Sequence, residues 1–334
     1  MNKIDIVYLW VDGADKNWLR EKTKWERLAN PQMAPAPGTA SAERYRDNNE
    51  LLYSLRSVAQ NAQFVNHIYI ITGFNKIPKW LNTKNPKITI IPHEAIIPAS
   101  ALPTFNSNSI EMCIPNIPGL SEHFLLMNDD IFFNKKLSAS FFFDRHGHAK
   151  NLYVHRRVKY KNLDQILKKS NTYRSTILLS AKKIHEIYGT KMYSYAPSHG
   201  IDPYLKSTWI QFQNHPEIKE SIEKQIHNKF RQRWEFQRWL FTLNQVVQKH
   251  ATFRRSHPPK SGHNKILDTI YNITHWFSIR RSSYVCPHVS GHKTSLKYAA
   301  IFCINDSGQN TPQQLSENTE YLSKRFPNKS EFEK

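Results

Sequence analysis

Glycine is scarce: 10 residues in a chain of 334. Neither a G-x-G-x-x-G turn nor a G-x-x-x-x-G-K-[ST] loop occurs, so a bound nucleotide has to be held by side chains and a metal rather than by a backbone cradle. Cysteine is scarcer still. Cys113, Cys286 and Cys303 are too few and too scattered for a disulfide framework or a zinc cluster, which agrees with a reducing compartment, and they read as buried or incidental. No window approaches the ~20 apolar residues of a membrane span, and the amino terminus enters strand-like sequence without a signal-peptide pattern. A soluble, cytoplasmic protein is the expectation. Acidic residues are also in short supply, 27 Asp and Glu against 47 Lys and Arg, for a formal net charge of +20 and a pI near 9.8. Nucleic acid, an anionic membrane face and phosphorylated substrates all suit such a surface, and charge alone does not choose among them.

What is present is a globular pattern, 39% hydrophobic, long enough for one large α/β domain or two ordinary ones. Lys3 to Val11 reads as a buried strand closed by Asp12-Gly13, and a charged helix follows over Lys16 to Leu28. Asn30 to Ser41 reads as a flexible loop. Asp47, with Glu50 behind it, reads as the N-cap of an amphipathic helix carrying Leu51, Leu55 and Val58, and Arg44, Arg46, Asp47 and Asn48 crowd its start. Strands are predicted at His67 to Gly73 and Lys87 to Pro92, with a short helix over Ile77 to Leu81 between them. Another helix opens at Thr104 to Glu111. Alternating strands and helices predict a mostly parallel, twisted nucleotide-binding sheet, Rossmann-like or GT-A-like, over residues 1–145. Residues 146–300 read as a mainly helical part, beginning in a basic, histidine-rich stretch that reaches Lys161 and including an arginine- and tryptophan-rich helix from Arg231 to Lys249. Ser256 to Asn264 reads as a loop or linker. Residues 301–334 are expected to complete the same catalytic domain, with one helix ending near Phe326.

The centre of the pattern is Phe124-Leu125-Leu126-Met127-Asn128-Asp129-Asp130-Ile131-Phe132-Phe133. Asn and Asp disfavour strand interiors, so a strand should end at Met127 and release its polar triplet at the carboxyl edge of the sheet, where open α/β sheets bind ligands. Two adjacent carboxylates are costly to bury unless a cation neutralises them. A solvated turn is the plainer alternative. Phe302-Cys303-Ile304-Asn305-Asp306 repeats the pattern, and the two strand ends together could line a metal site. His199, in the tight loop from Tyr195 to Pro203, is a possible general base, although any one of 16 histidines is more often structural. Arg231 could clamp a phosphate, as could Arg233 or Arg238; a solvated basic helix face is the alternative.

Four blocks in this order resemble the Stealth proteins, sugar-1-phosphate transferases of bacterial capsule synthesis related to the animal N-acetylglucosamine-1-phosphotransferase. They are Ile4 to Gly13; Arg44 through Ile77-Pro78-Lys79-Trp80-Leu81 and Leu102-Pro103-Thr104-Phe105-Asn106-Ser107 to Asn128-Asp129-Asp130; Ala196-Pro197-Ser198-His199 with Phe230-Arg231; and Cys303-Ile304-Asn305-Asp306 with Arg325 to Lys334. Leu9 stands where Thr is common, and Ser198-His199-Gly200 departs from the animal pattern. The resemblance implies transfer of hexose-1-phosphate from a nucleotide sugar, usually a UDP-hexose, to a glycan hydroxyl with release of UMP. It also implies Mg2+ or Mn2+ on Asp129, Asp130 and Asp306; catalytic roles for His199 as base, Arg231 on the phosphoryl group and Asp130; and a substrate pocket shaped by Trp10, Asp12, Arg46, Asp47 and Asn106. A metal-dependent glycosyltransferase on a GT-A-like sheet is the nearest rival. A nucleic-acid-binding module, suggested by the charge and by Arg231 to Trp239, is more distant, because paired acidic strand ends suit a phosphate backbone poorly. The basic surface fits better with peripheral attachment to anionic inner-membrane lipid or with guidance of a polyanionic polymer.

Overall fold

Ile4–Leu9 forms β1, flanked by parallel neighbours, and its apolar side chains pack into cores on both faces of the sheet. The computed structural model describes residues 2–29, 35, 41–155, 162–255, 283–306 and 308–334. Nearly all of the stretch read as a flexible loop over Asn30 to Ser41 lies outside these residues, as do Arg156, Arg157, Lys159, Lys161 and the linker read over Ser256 to Asn264. With β2 (His67–Thr72), β3 (Ile88–Pro92), β4 (His123–Asn128) and β8 (Asp202–Leu205), the main sheet runs β3-β2-β1-β4-β8. It is parallel throughout except for β8, which pairs antiparallel with β4.

Because side chains alternate across a strand, the sheet supports two cores. Ile6, Tyr8, Leu125 and Met127 face Leu51, Leu55 and Val58 of α2 (Glu50–Asn61). Val7, Phe124 and Leu126 face the other way, onto α5 (Thr172–Tyr188), α6 (Lys206–Gln213) and α8 (Trp239–Val247), where Trp209 stacks on Phe241 at 4.1 Å. The second half of the chain therefore supplies the helical layer and also an edge strand of the sheet. It contributes further to a sheet β7-β6-β9, made of β6 (Ala149–His155), β7 (Tyr195–Pro197) and β9 (Ala251–Arg255).

The strand predicted to stop before Asn128-Asp129-Asp130 resumes after it as β5 (Ile131–Phe133), which leaves the main sheet. There β5 pairs antiparallel with β11 (Ile301–Ile304), itself parallel to β10 (Ser283–Cys286). Antiparallel pairing sets the end of β11 beside the start of β5, and the Ile304 amide donates to the Asp130 carbonyl at 3.1 Å. The two Asn-Asp strand ends thus meet. After α10 (Pro312–Arg325), counted in chain order after α9 (Lys293–Tyr298), the last residues return to the first half: Arg56 donates to both oxygens of Glu333 at 3.0 and 2.7 Å, beside the buried Phe332.

Several local expectations change. Residues 77–81 form no helix; Phe74 and Asn75 take positive φ, Pro78 restricts the backbone, and Leu81 bridges Glu333 instead. The N-cap of α2 is Asn49, at φ 64°, while Asp47 accepts from the Asn49 amide at 2.8 Å. Arg231 to Arg238 is irregular, and the helix begins only at Trp239 because Glu235 is drawn into a buried cluster of amides described below. Among the described residues no helix is long and apolar enough to cross a membrane.

Gly13 fixes one wall of the site. Its amide donates to the Tyr45 carbonyl at 2.8 Å, and a Cβ there would lie 2.1 Å from that oxygen. Gly13→Ala must push Tyr45 and Arg46 away from the sheet. Urea denaturation should show a loss of about 2 kcal/mol, the usual cost of forced overpacking; unchanged stability would mean that the two loops are not locked together.

Candidate functional site

Strand order β3-β2-β1-β4 reverses direction between β1 and β4, and at such a switch point the loops leaving adjacent strands diverge and open a crevice. A cleft of about 560 Å³ lies there. Leu9 pairs with Asn128, so Trp10 and Asp129 are the next residues out on neighbouring strands. Arg46, Arg231, His199, Asn305 and Asp306 line the same cleft, as do Glu50, Asp202 and Arg238.

Asp129 and Asp130 sit on its floor. Burial pushes the Asp129 carboxyl well above its usual range, with repulsion from Asp130, Glu50 and Asp47 adding to it. Asp130 is raised by burial too, opposed by His199, the Cys303 thiol and Arg238. Burial lifts Glu50 to about 7, although Asn48 donates to it from its backbone and its side chain at 2.5 and 2.7 Å. Among the described residues neither Asp129 nor Asp130 forms an ion pair, and Asp130 Oδ1 is buried without a hydrogen-bond partner. Such a cluster of acids around an orphaned oxygen lacks a cation. The donor set fits one: oxygen of Asp130, nitrogen of His199 and sulfur of Cys303 lie within 4.8 Å of one another.

His199 takes φ 56°, a left-handed conformation that a side chain adopts at a cost, and the turn aims its imidazole into the cleft. Burial lowers its pKa and Arg238 lowers it further, while Asp130 opposes both, so the surroundings favour the neutral ring. The Asn305 amide stands 3.4 Å from Nε2 and can donate only when that nitrogen carries no proton.

Arg238 is the arginine that sequence reasoning left among three. Its Nε donates to Asp202 at 3.0 Å and its Nη1 to Asn128 Oδ1 at 3.1 Å, and Glu111 lies 3.5 Å away. It therefore ties β4, β8 and α3 (Ser107–Met112) together at the back of the cleft, and burial still leaves Asp202 at about 6. Arg231 reaches the cleft from the irregular segment and donates to the Ser107 hydroxyl. Arg46 pairs with Asp306 at 2.9 Å, and Asp306 also accepts from the Gly308 amide.

Three expected pocket residues stand behind the lining. Asp47 accepts from Trp10 Nε1 at 3.2 Å and so orients the indole. Asp12 accepts from the Ala14 amide, closing the turn after β1. Asn106 is buried as the N-cap of α3 and donates to Glu235 at 2.7 Å; Asn108 and Asn228 also donate to this carboxylate, which burial nonetheless lifts to about 7. That amide cluster holds the Arg231 loop against α3. Glu50, read from sequence only as a capping partner, lines the cleft, and Cys303, read as buried or incidental, is buried as expected but lies against Asp130 and His199 behind the cleft floor. Their signal was spacing from the acidic triplet in three dimensions, which the linear order hides.

The family descriptions "Stealth protein CR1, conserved region 1" and "Stealth protein CR2, conserved region 2" match residues 2–28 and 44–151. A capsular polysaccharide phosphotransferase of Haemophilus influenzae is 36% identical over 231 residues, 68% of this chain but 60% of its own length. Another, WcwK of Streptococcus pneumoniae, is 28% identical over the whole of both chains. The solved galactosyltransferase LgtC, in complex with donor and acceptor sugar analogues, overlays 97% of this chain and 95% of its own at 9% identity and TM-score 0.45.

The raised carboxyls carry a stability consequence. A group whose folded pKa exceeds its unfolded value holds its proton in the folded state alone, so its contribution is lost as pH rises from about 4 through the raised value. Asp129→Asn removes that loss. In EDTA its melting temperature should exceed the wild type's by roughly 2–4 °C at pH 7, with little gain at pH 4, while stabilisation by added Mg2+ or Mn2+ disappears. A variant less stable than wild type at pH 7 in EDTA would show that the carboxylate pair is not under electrostatic stress.

Proposed function

As the chain belongs to the Stealth family through its two conserved regions, we propose that it transfers hexose-1-phosphate from a UDP-hexose to a glycan hydroxyl, releasing UMP, in capsular or cell-surface polysaccharide synthesis. The observation that supports this most is the convergence, at the sheet's switch point, of carboxylates with raised pKa, an imidazole whose charged form burial disfavours, and Arg46, Arg231 and Arg238 on one cleft.

The chemistry asks for these groups. A hydroxyl attacks the phosphorus that bears the sugar, a bond forms from its oxygen to that phosphorus, and the phosphorus-to-bridging-oxygen bond of the pyrophosphate breaks. UMP leaves with the bridging oxygen. Phosphorus already surrounded by negative oxygens needs cationic neutralisation and the incoming hydroxyl needs a base. Asp129 and Asp130 would hold Mg2+ or Mn2+, which neutralises pyrophosphate charge when bound. His199 would accept the hydroxyl proton at the ring nitrogen that its neutral form leaves unprotonated. Arg231 offers its guanidinium to the phosphoryl oxygens. Arg46, tied to Asp306, closes the cleft from the α2 side, and Trp10, held by Asp47, supplies a flat apolar wall against base or sugar. Asp12 and Asn106 shape the pocket through the turns they close.

Incubation with a panel of nucleotide sugars, Mg2+ and glycan acceptor should release UMP and yield a phosphodiester. UDP with a glycosidic product would instead establish glycosyl transfer. His199→Ala should lower kcat by about 10²–10⁴ with KM for the donor little changed, the range of general-base loss, and the wild-type rate should fall on the acid side as the ring is protonated. Unchanged turnover in the variant would reject the base.

The +20 charge supports a further part of the reading, peripheral attachment at an anionic membrane face. Flotation with vesicles rich in phosphatidylglycerol should recover the protein at low salt and lose most of it by about 0.5 M, where screening is nearly complete. Recovery equal to that with neutral vesicles would remove the membrane from the proposal.

A further inference from the structure

Mg2+ has no use for sulfur, yet a thiol lies against the central carboxylate. Cys303 is buried in β11 opposite Ile131, and that register brings its Sγ within 3.2 Å of Asp130 Oδ2. The imidazole of His199 completes a trio whose ligand atoms lie within 4.8 Å of one another. Asp130 Oδ1, buried and unpartnered, adds an oxygen with nothing to bind. We propose that Asp130, His199 and Cys303 form a binding site for one thiophilic divalent cation of the Zn2+ class, with its fourth position open to the cleft, and that this ion shuts the enzyme off.

Zn2+ binds thiolate, imidazole and carboxylate at about 2.3, 2.0 and 2.0 Å, which sets tetrahedral ligands roughly 3.3–3.5 Å apart. The Asp130–Cys303 separation of 3.2 Å lies just under that range, and side-chain rotation would bring the three ligand atoms, all within 4.8 Å of one another, onto one ion. Charge also balances: one thiolate, one carboxylate and one neutral imidazole surround a double positive charge, giving a neutral unit suited to burial. On binding, Sγ gives up its proton to solvent and the S–H bond is replaced by a sulfur–metal bond, with no change of oxidation state. A hard ion gains nothing from sulfur and keeps water and oxygen ligands, so it stays with the two aspartates. The two ions share Asp130 and exclude each other, and a thiophilic ion also occupies the His199 lone pair.

The inhibitory consequence rests on the phosphotransferase reading; the ion site does not. Co2+ is the probe, added to the full chain without any nucleotide sugar. One equivalent should raise a thiolate-to-cobalt charge-transfer band in the near ultraviolet and strong tetrahedral visible bands, both abolished by Zn2+. The charge-transfer band should vanish in Cys303→Ser and persist in Cys286→Ser. No band in the wild type, or an undiminished band in Cys303→Ser, overturns the site. If Cys303→Ser fails to fold, His199→Ala carries the test: Co2+ affinity should fall at least tenfold, and equal affinity overturns the site. In the UMP assay, each protein being normalised to its own Mg2+-supported rate, Cys303→Ser should need at least tenfold more Zn2+ for half inhibition. Equal sensitivity overturns the inhibitory role. Absence of turnover with every nucleotide sugar counts against the phosphotransferase reading alone, since the cobalt spectra are read without substrate.

Discussion

Two adjacent carboxylates just past β4, partly buried on the cleft floor and without an ion pair among the described residues, set the terms for everything around them. Asp5, at the opposite end of the same sheet, shows what a satisfied buried carboxylate looks like: it accepts from Asn66 and from the Ser121 amide, each at 2.7 Å. Asp130 has instead one weak thiol donor and one orphaned oxygen. Arg238, nearby and largely buried, is already committed to Asp202 and Glu111. A protein selected for stability alone would replace such a pair, because uncompensated buried charge is among the costliest features a fold can carry. Its persistence in this structure is an argument for a ligand that brings positive charge.

The architecture bears that stress by surrounding it with rigid elements. β1 and β4 lie at the centre of the sheet with apolar cores on both faces, so the strand ends hardly yield. β5 turns away immediately after Asp130 and is fixed by β11, which brings Asn305 and Asp306 to the same place. Arg238 clamps Asn128 from behind, and the Glu235 amide cluster anchors the segment that presents Arg231. Electrostatic catalysis depends on groups that need not reorganise when charge develops, and each of these supports serves that end.

Much of this was legible because period-two alternation and strand-ending residues are local signals. β1 to β4, their parallel order and the release of Asn128-Asp129-Asp130 at the carboxyl edge follow from apolar runs and turn residues alone. What stayed hidden depends on contacts across long separations. Arg231 to Trp239 carries helical composition, yet Glu235 is pulled inward by Asn106, Asn108 and Asn228, and the segment unwinds. Glu50 has the spacing of a capping residue, and only the fold shows that its carboxyl adds to the repulsion on Asp129. Cys303 is buried, as expected of a cysteine, but its contact with the acidic pair gave no sequence signal. Its strand, paired with β5, makes it a neighbour of Asp130 across 173 positions.

The same pairing explains why a basic protein keeps an acidic centre. With 47 basic side chains, a phosphate-rich substrate is attracted to the surface at long range, but attraction of that kind does not fix a geometry. Short-range order comes from the cleft floor, where like charges in a medium of low polarity admit a cation before they admit an anion. On the proposed reading, donor binding would be ordered by physics: until the carboxylates are neutralised, a pyrophosphate entering between Asp129, Asp130 and Glu50 would meet repulsion that Arg231 and Arg46 do not offset, Arg46 being shared with Asp306. The acidic pair would then gate the substrate as well as hold the ion, and the surrounding positive field would bring that substrate to the gate.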